Sequence, residues 1–227
     1  MSAPRATGRR RKANALSRDA VLQAAIGILD ESGESGLTFR VLADRLHTGA
    51  GAIYWHVAGR SDLLDLACDA VLADPAAVPP PPDLDEIDAI RAIALALFDV
   101  LDRHPWVGAH LPSSPGLPST LRVLDRIGGL LRSSGVPTER QFYTATAILT
   151  YVLGVAAQIT RNAQAMAPDR PRDEWLAEQS KRWAQLDPAE YPFLRRVMAD
   201  VRDHDDREQF TVGLDLLLAG VRAGSRR

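Results

Sequence analysis

Residues 37–73 read LTFRVLADRLHTGAGAIYWHVAGRSDLLDLACDAVLA, and the spacing of their apolar positions governs how the rest of the chain is read. Thr38 is a good helix N-cap, because its hydroxyl oxygen can accept from an orphan backbone N–H. Behind it Val41, Leu42 and Leu46 lie on one side of a short helix ending near His47. Thr48-Gly49-Ala50-Gly51 turns the chain, and Ala50, Ile53 and Val57 form the inner face of a third short helix. Ser61 is placed to cap a fourth over 62–73, with Leu63, Leu66, Ala67 and Val71 inward. Upstream, Ser17 caps a first helix over 18–32, where Leu22, Ile26 and Leu29, with Val21, Ala25 and Ile28 alongside, recur at helical spacing until Gly33 closes it.

A helix, a short turn and a second short helix of this size let one helix lie in a DNA major groove while its predecessor braces across the backbone. At 100° per residue the third helix leaves Gly51, Ala52, Tyr54 and Trp55 outward, with His56 at the margin. In a groove Tyr54, Trp55 and His56 can donate hydrogen bonds to phosphate and cover sugar, while Arg40 reaches a guanine edge or a phosphate. Periodicity alone also permits a blander reading, in which Tyr54 and Trp55 pack at a seam between domains.

The same stretch closely resembles the DNA-binding segment of the tetracycline-repressor (TetR) family: an L-T-x-R opening, L-A-x-x-L, Y-W-H-V, and a basic residue before a capped L-L-D helix. Residues 191–221, which contain G-L-D-L-L-L-x-G, resemble the C-terminal segment of the subfamily around the tetracycline repressors. The resemblance implies that Thr38 binds phosphate from a helix N-terminus and that Arg40 reads a base. It further implies that Tyr54, Trp55 and His56 hold the backbone and that Arg60 pairs with phosphate. Gly49, Ala50, Gly51 and Ala52 stand where the family carries larger or polar base-reading side chains. Gly49 and Gly51 then offer backbone contacts, Ala52 a methyl for a thymine methyl, and the operator must differ accordingly.

Pro75 and the run Pro79 to Pro82 favour extended polyproline geometry and mark the end of the first domain. Long helical segments follow near 84–103, 117–134, 138–165, 172–186, 193–203 and 206–223, with no convincing strand and no internal repeat. The expected fold is all-α. It divides into a basic arm (1–16), a three-helix helix-turn-helix domain with helix four as connector (17–73), a Pro-rich linker (74–83) and a larger ligand-binding and dimerisation domain (84–227).

The segment Gln141 to Ile159 is apolar on two sides: Phe142, Leu149, Leu153 and Ala156 form one stripe, and Ile148, Tyr151, Val155 and Ile159 another. In the last helix Phe210, Leu214, Leu217 and Val221 repeat similarly, with Gly213 and Gly220 permitting close approach. A homodimer joined by a four-helix bundle accounts for both, with Leu149, Leu153, Phe210, Leu214, Leu217 and Val221 at the interface; central helices of a monomer are the alternative. Trp106, His110, Tyr151, Gln158, Met166 and Trp175, with Trp183, are candidates to line a pocket for a small-molecule effector, although each can equally be core. His110, in GAHLPSSP, resembles the place where tetracycline repressors carry a histidine for the drug's magnesium ion. By the same resemblance Ala76, Ala92 and Gln158 replace drug-contacting residues, so magnesium-tetracycline is not the expected effector and neither metal nor cofactor is expected.

The 227 residues carry a formal net charge of −2, yet Arg5, Arg9, Arg10, Arg11 and Lys12 fall together at one end. That arm is either a solubilising tail or a strand that touches DNA backbone or minor groove. The single cysteine, Cys68, excludes an internal disulfide and a multi-cysteine metal site. Thr150, Gly154 and Gln158 interrupt the longest apolar candidate, and the N-terminus has no apolar signal core, so a soluble, cytoplasmic protein is expected. Phosphate-cradling glycine loops, paired metal-ligand helix motifs and a Gly-x-Ser-x-Gly elbow are all missing, which argues against an enzyme. The expectation is a repressor that binds a palindromic operator and is released by a ligand. The competing expectation is an architectural DNA binder with no ligand control.

Overall fold

Ser17 accepts from the N–H of Ala20 at 3.0 Å and so starts helix α1 (Arg18–Gly36). The computed structural model describes residues 16–77, 81–114, 116–165, 171–197 and 204–225; the basic arm therefore lies outside the described residues. Gly33, at φ +64°, breaks α1 where the sequence predicts its end, and one further turn runs to Gly36. Thr38 accepts from the N–H of Val41 at 3.2 Å and caps α2 (Phe39–Arg45); α3 (Ala50–Ile53) follows. Between them His47 takes the left-handed φ of +49°. Thr48 N–H bonds to the Ala43 carbonyl at 3.0 Å and His47 N–H to that of Asp44 at 3.2 Å, the paired bonds of a Schellman C-cap.

Helix α4 (Arg60–Ala77) differs from its prediction at both ends. Ser61 lies inside the helix rather than capping it: the Gly59 carbonyl accepts from Leu63 at 3.0 Å, and Asp62 reaches back to the N–H of Ala58 at 2.8 Å. The helix also continues through Pro75, because a proline in the last turn forfeits only one backbone bond near an end that frays anyway. Helices α5 (Glu86–Arg103), α6 (Pro105–His110), α7 (Pro118–Ser133) and α8 (Thr138–Ala165) come next, with a 3₁₀ turn at Leu111–Ser113 after α6. The chain then forms α9 (Arg172–Ala184), α10 (Pro192–Val197) and α11 (Asp206–Ser225). No strand occurs among the described residues. Helix α6 is absent from the sequence reading, where Pro105 was treated as a breaker; at the first helical position its missing N–H costs nothing.

Val21, Ala25, Leu29, Leu42, Ile53, Leu63 and Ala67 close the small N-terminal core. The larger core lies where α5, α7, α8 and α11 meet, around Ile90, Leu97, Phe98, Ile127, Leu131, Ile148, Val152, Phe210 and Leu214. Phe98 and Tyr151 stack on Phe210 with centroids 4.5 and 5.5 Å apart. Arg91 on Asp215, Arg222 on Asp85 and Asp88, and Arg207 on Asp99 line the seam between α5 and α11. Exposed pairs of this kind add little each, but together they favour one register of α11 against α5.

An 18-residue window within residues 138–162 has a mean hydropathy of 1.5, enough by length and composition alone to cross a membrane. In the fold they are a packed helix: Ala145, Ile148, Val152, Val155 and Ala156 are buried against neighbouring helices. Helix α6 lies so close to α8 that a Cβ at Gly108 would stand 3.1 Å from the Ala156 carbonyl and from Thr160 Oγ1. Thr160 itself donates to the Pro105 carbonyl at 2.6 Å. Gly108→Ala is therefore expected to cost about 1–3 kcal/mol by overpacking. His47→Gly should instead gain about 0.5–1 kcal/mol, since relief of the left-handed strain outweighs the added chain entropy. Urea denaturation midpoints at constant slope would check both.

Candidate functional site

The first candidate surface is the outer side of α2 and α3. Trp55 is 89% exposed and Tyr54 57% exposed, so neither packs at a seam within the chain. Tyr54 leans on Phe39 with ring centroids 4.6 Å apart, which fixes the phenol beside the start of α2. Thr38, Arg40, Gly49 and Gly51 are exposed around it, and Ala52 and His56 are half-buried. Ala50, expected inward, is exposed: α3 is a single turn, and Ile53 and Val57 alone reach the core. Thr38 keeps its hydroxyl hydrogen free while its oxygen caps α2, so it can still donate outward.

Arg60 is partly engaged within the chain while its side chain stays about half exposed. Its Nε donates to the Leu37 carbonyl at 3.2 Å and its Nη2 to that of Glu34, tying the C-terminal end of α1 to the start of α4. The sequence pattern gave no sign that the carbonyls of Leu37 and Glu34 lie within reach of Arg60.

Three carboxylates join this head to the body. Asp30 of α1 accepts from Trp106 Nε1 at 2.7 Å and bonds His104 Nδ1 at 2.7 Å. Asp65 of α4 accepts from Ser114 Oγ at 2.6 Å and bonds His110 Nε2 at 2.7 Å. Asp69 accepts from the N–H of Ser119 at 2.6 Å, and its own carbonyl accepts from the Ser119 hydroxyl at 3.0 Å. Hydrogen bonds from Ser114 and then His110 hold the Asp65 carboxyl below the usual carboxylate range, against the smaller opposing effect of burial. Burial pushes the Cys68 thiol well above its ordinary value, which leaves it unreactive. Trp106 and His110, read as pocket lining, are buried residues of this joint. A sequence that places aspartates at 30, 65 and 69 gives no sign that 104–119 will fold onto them.

A narrow cavity lies between α4, α5, α7 and α8, with a volume of about 10 Å³, bounded by Leu72, Leu97, Leu101, Leu111, Ser119, Thr120, Val123, Leu149, Val152 and Leu153. Leu149 and Leu153, expected at a dimer interface, thus face inward. Tyr151 and Gln158, expected in the pocket, face outward into a shallow groove with Tyr143, Ala147, Thr150, Gly154 and Leu217. The two faces of α8 are exchanged relative to the sequence reading. Phe210 and Leu214 are likewise fully buried in the chain's own core, whereas Leu217 is partly exposed and lines the outer surface with Val221 and Gly220. On both helices the inner stripe is taken up by the chain's own core, and the outer stripe leaves Tyr143 and Leu216 exposed. Trp175 and Trp183 are half-buried on α9 and line none of this cavity, and Met166 lies outside the described residues. Among the described residues no cluster of His, Cys, Asp or Glu is placed to hold a metal ion.

An exposed helix-turn-helix head joined to a larger helical body with an internal apolar cavity defines a helix-turn-helix transcription regulator. Residues 78–224 match the family model described as the tetracyclin repressor-like C-terminal domain. An HTH-type transcriptional regulator of Saccharopolyspora erythraea is 32% identical over 211 residues, covering 92% of this chain and 85% of its own. Among solved structures, the TetR regulator SCO7222 of Streptomyces coelicolor is 41% identical with a TM-score of 0.78, covering 92% of this chain and 99% of that one. ActR of S. coelicolor, in complex with actinorhodin, is 26% identical with a TM-score of 0.76, covering 93% and 99%. The chain belongs to the tetracycline-repressor-like family of transcriptional regulators.

Arg60→Ala is expected to destabilise the fold by about 1 kcal/mol through loss of its bonds to the Leu37 and Glu34 carbonyls, to be read from denaturation midpoints. For Asp65 the depressed folded value means that its contribution to stability is fully present above the unfolded value of about 3.9 and is lost as pH falls through the lower folded value. Asp65→Asn should accordingly flatten the acid limb of stability below about pH 4 without altering its shape near neutrality, as followed by thermal melts across pH.

Proposed function

We propose that the chain is a repressor that binds a palindromic operator as a homodimer and releases it when a small molecule occupies the body. The observation that carries this reading is the outward Tyr54-Trp55 pair, braced by Phe39 and flanked by Arg40 and Thr38 on the face that enters a major groove. Arg40 reads a base, Thr38, Tyr54, Trp55 and His56 hold the backbone, and Gly49, Gly51 and Ala52 allow close approach. The second reading head comes from a second copy. Tyr143, 72% exposed, and Leu216, 71% exposed, flank Ala147, Thr150, Gly154, Leu217 and Gly220 on a face too apolar to stay wet. Two such faces related by a two-fold axis make a four-helix bundle of α8 and α11 from each chain.

Ligand occupancy acts through α4. The Asp65 and Asp69 clamps tie it to the segment 110–119, so a shift of that segment moves the head like a lever and spoils the spacing of the two readers. A coupling of about 1–3 kcal/mol would suffice. Such a protein catalyses nothing, needs no metal and works in the cytoplasm, where its DNA is.

Selection of bound sites from random duplex DNA, followed by mobility shift on the best site, tests the reading directly. A palindrome bound by a dimer is expected; salt-sensitive binding to every sequence would point to an architectural protein instead. On the selected site Arg40→Ala should cost about 1–3 kcal/mol and relax preference at one position. Leu216→Arg, which places an unpaired charge twice in the bundle, should yield monomers in sedimentation and abolish operator binding; a dimer that persists would require a different interface.

A further inference from the structure

The cavity between α4, α5, α7 and α8 has a chemistry of its own. Among the described residues that bound it, eight side chains are Leu or Val, none is charged, and the only side-chain polar atoms are the hydroxyls of Ser119 and Thr120. Ser119 is engaged, donating to the Asp69 carbonyl and accepting from Arg122 Nη2 at 2.7 Å. Thr120 Oγ1 is different: among the described residues it is the buried side-chain polar atom left without a hydrogen-bond partner. An unpaired buried hydroxyl is costly and is normally matched by protein, water or ligand.

Resting on the proposal that this family member answers to a ligand, we propose that its effector is an uncharged, largely apolar small molecule with one hydrogen-bonding group, which enters this cavity and meets Thr120 Oγ1. An anion or a metal chelate would have to shed its water against leucine and valine with no counter-charge in the wall. Thr120, Leu149 and Leu153 are the partly exposed members of the lining and mark the mouth. At about 10 Å³ the cavity now holds no more than one water, so a ligand must part its walls. The wall on the lever side is Leu72, one helical turn beyond Asp69 on α4, and parting it displaces the element that carries the reading head. Ligand size is thereby converted into lever movement, with Thr120 choosing the orientation.

The probe is N-phenyl-1-naphthylamine, uncharged with a single N–H, compared by fluorescence titration with 8-anilinonaphthalene-1-sulfonate, which has the same rings plus a charge. The full-length protein is used, with and without its selected operator. The neutral probe is expected to bind at least tenfold more tightly than the sulfonate. Thr120→Val should weaken the neutral probe about 3- to 10-fold, the worth of one neutral hydrogen bond. The same substitution should raise the thermal midpoint of the free protein, because it removes the unpaired hydroxyl. Leu153→Phe, which fills the mouth, should abolish probe binding while operator binding persists as the sign of an intact fold. Equal affinity for the two probes, or probe binding indifferent to both substitutions, would overturn the proposal. Operator binding, measured on the same samples, separates the two readings: a protein that binds no DNA fails as a regulator whatever the cavity does. One that binds DNA but takes up the neutral probe elsewhere fails only here.

Discussion

Asp30, Asp65 and Asp69 lie on the two helices that frame the head, and each receives hydrogen bonds from the segment 104–119 of the body. These contacts, together with the packing of α4 on α5 and α7, join the two halves of the molecule. Charge-assisted hydrogen bonds at partly buried positions are stronger than neutral ones and demand their geometry, so α1 and α4 cannot reorient without breaking or remaking several of them at once. Gly108 lets α6, which carries Trp106 and His110 to the joint, lie directly on α8. The central helix of the body is therefore one packed contact away from the clamps that hold the head.

That central helix is the second organising feature. Its inner face, with Ile148, Val152 and Ala156, is the core of the body, and Leu149 and Leu153 on its flank bound the cavity. Its outer face is a line of small or amphipathic residues, Ala147, Thr150, Gly154 and Gln158, beside Tyr143 and Tyr151. Tyr151 bridges the two roles, stacking on Phe210 and donating to its carbonyl at 3.0 Å. A Cβ at Gly213 would collide with its hydroxyl, so the small residue there is what lets the ring settle between α8 and α11. Cavity, outer face and joint are then three sides of one helix packing problem rather than separate sites.

Much of this was legible in the chain itself. Helix periodicity, N-caps at Ser17 and Thr38, and glycines at chain reversals located most of the helices, because those signals depend on interactions within a few residues. The outward aromatic pair at 54–55 was legible for the same reason: on a single helical turn with Ile53 and Val57 inward, no other direction is left for it. Helix α6 was missed because a proline reads alike as a stop and as a first residue, and only the chain folding back onto α8 distinguishes the two.

The tertiary structure alone decided which face of an apolar helix points where and which polar groups meet. Leu149 and Leu153 belonged equally well to an interface or a cavity by hydrophobicity, and Phe210 and Leu214 to an interface or a core. Burial is a property of what packs opposite, so one helix's stripe cannot assign it. Trp106, His110 and Arg60 carried the same ambiguity in polar form: their partners, Asp30, Asp65 and the carbonyls of Glu34 and Leu37, lie 76, 45, 26 and 23 residues away. The sequence by itself determined most of the helices, the caps at Ser17 and Thr38 and the outward Tyr54-Trp55 pair, all set by local geometry. The joint, the cavity and the outer face required the fold, since each is made of residues that only long-range packing brings together.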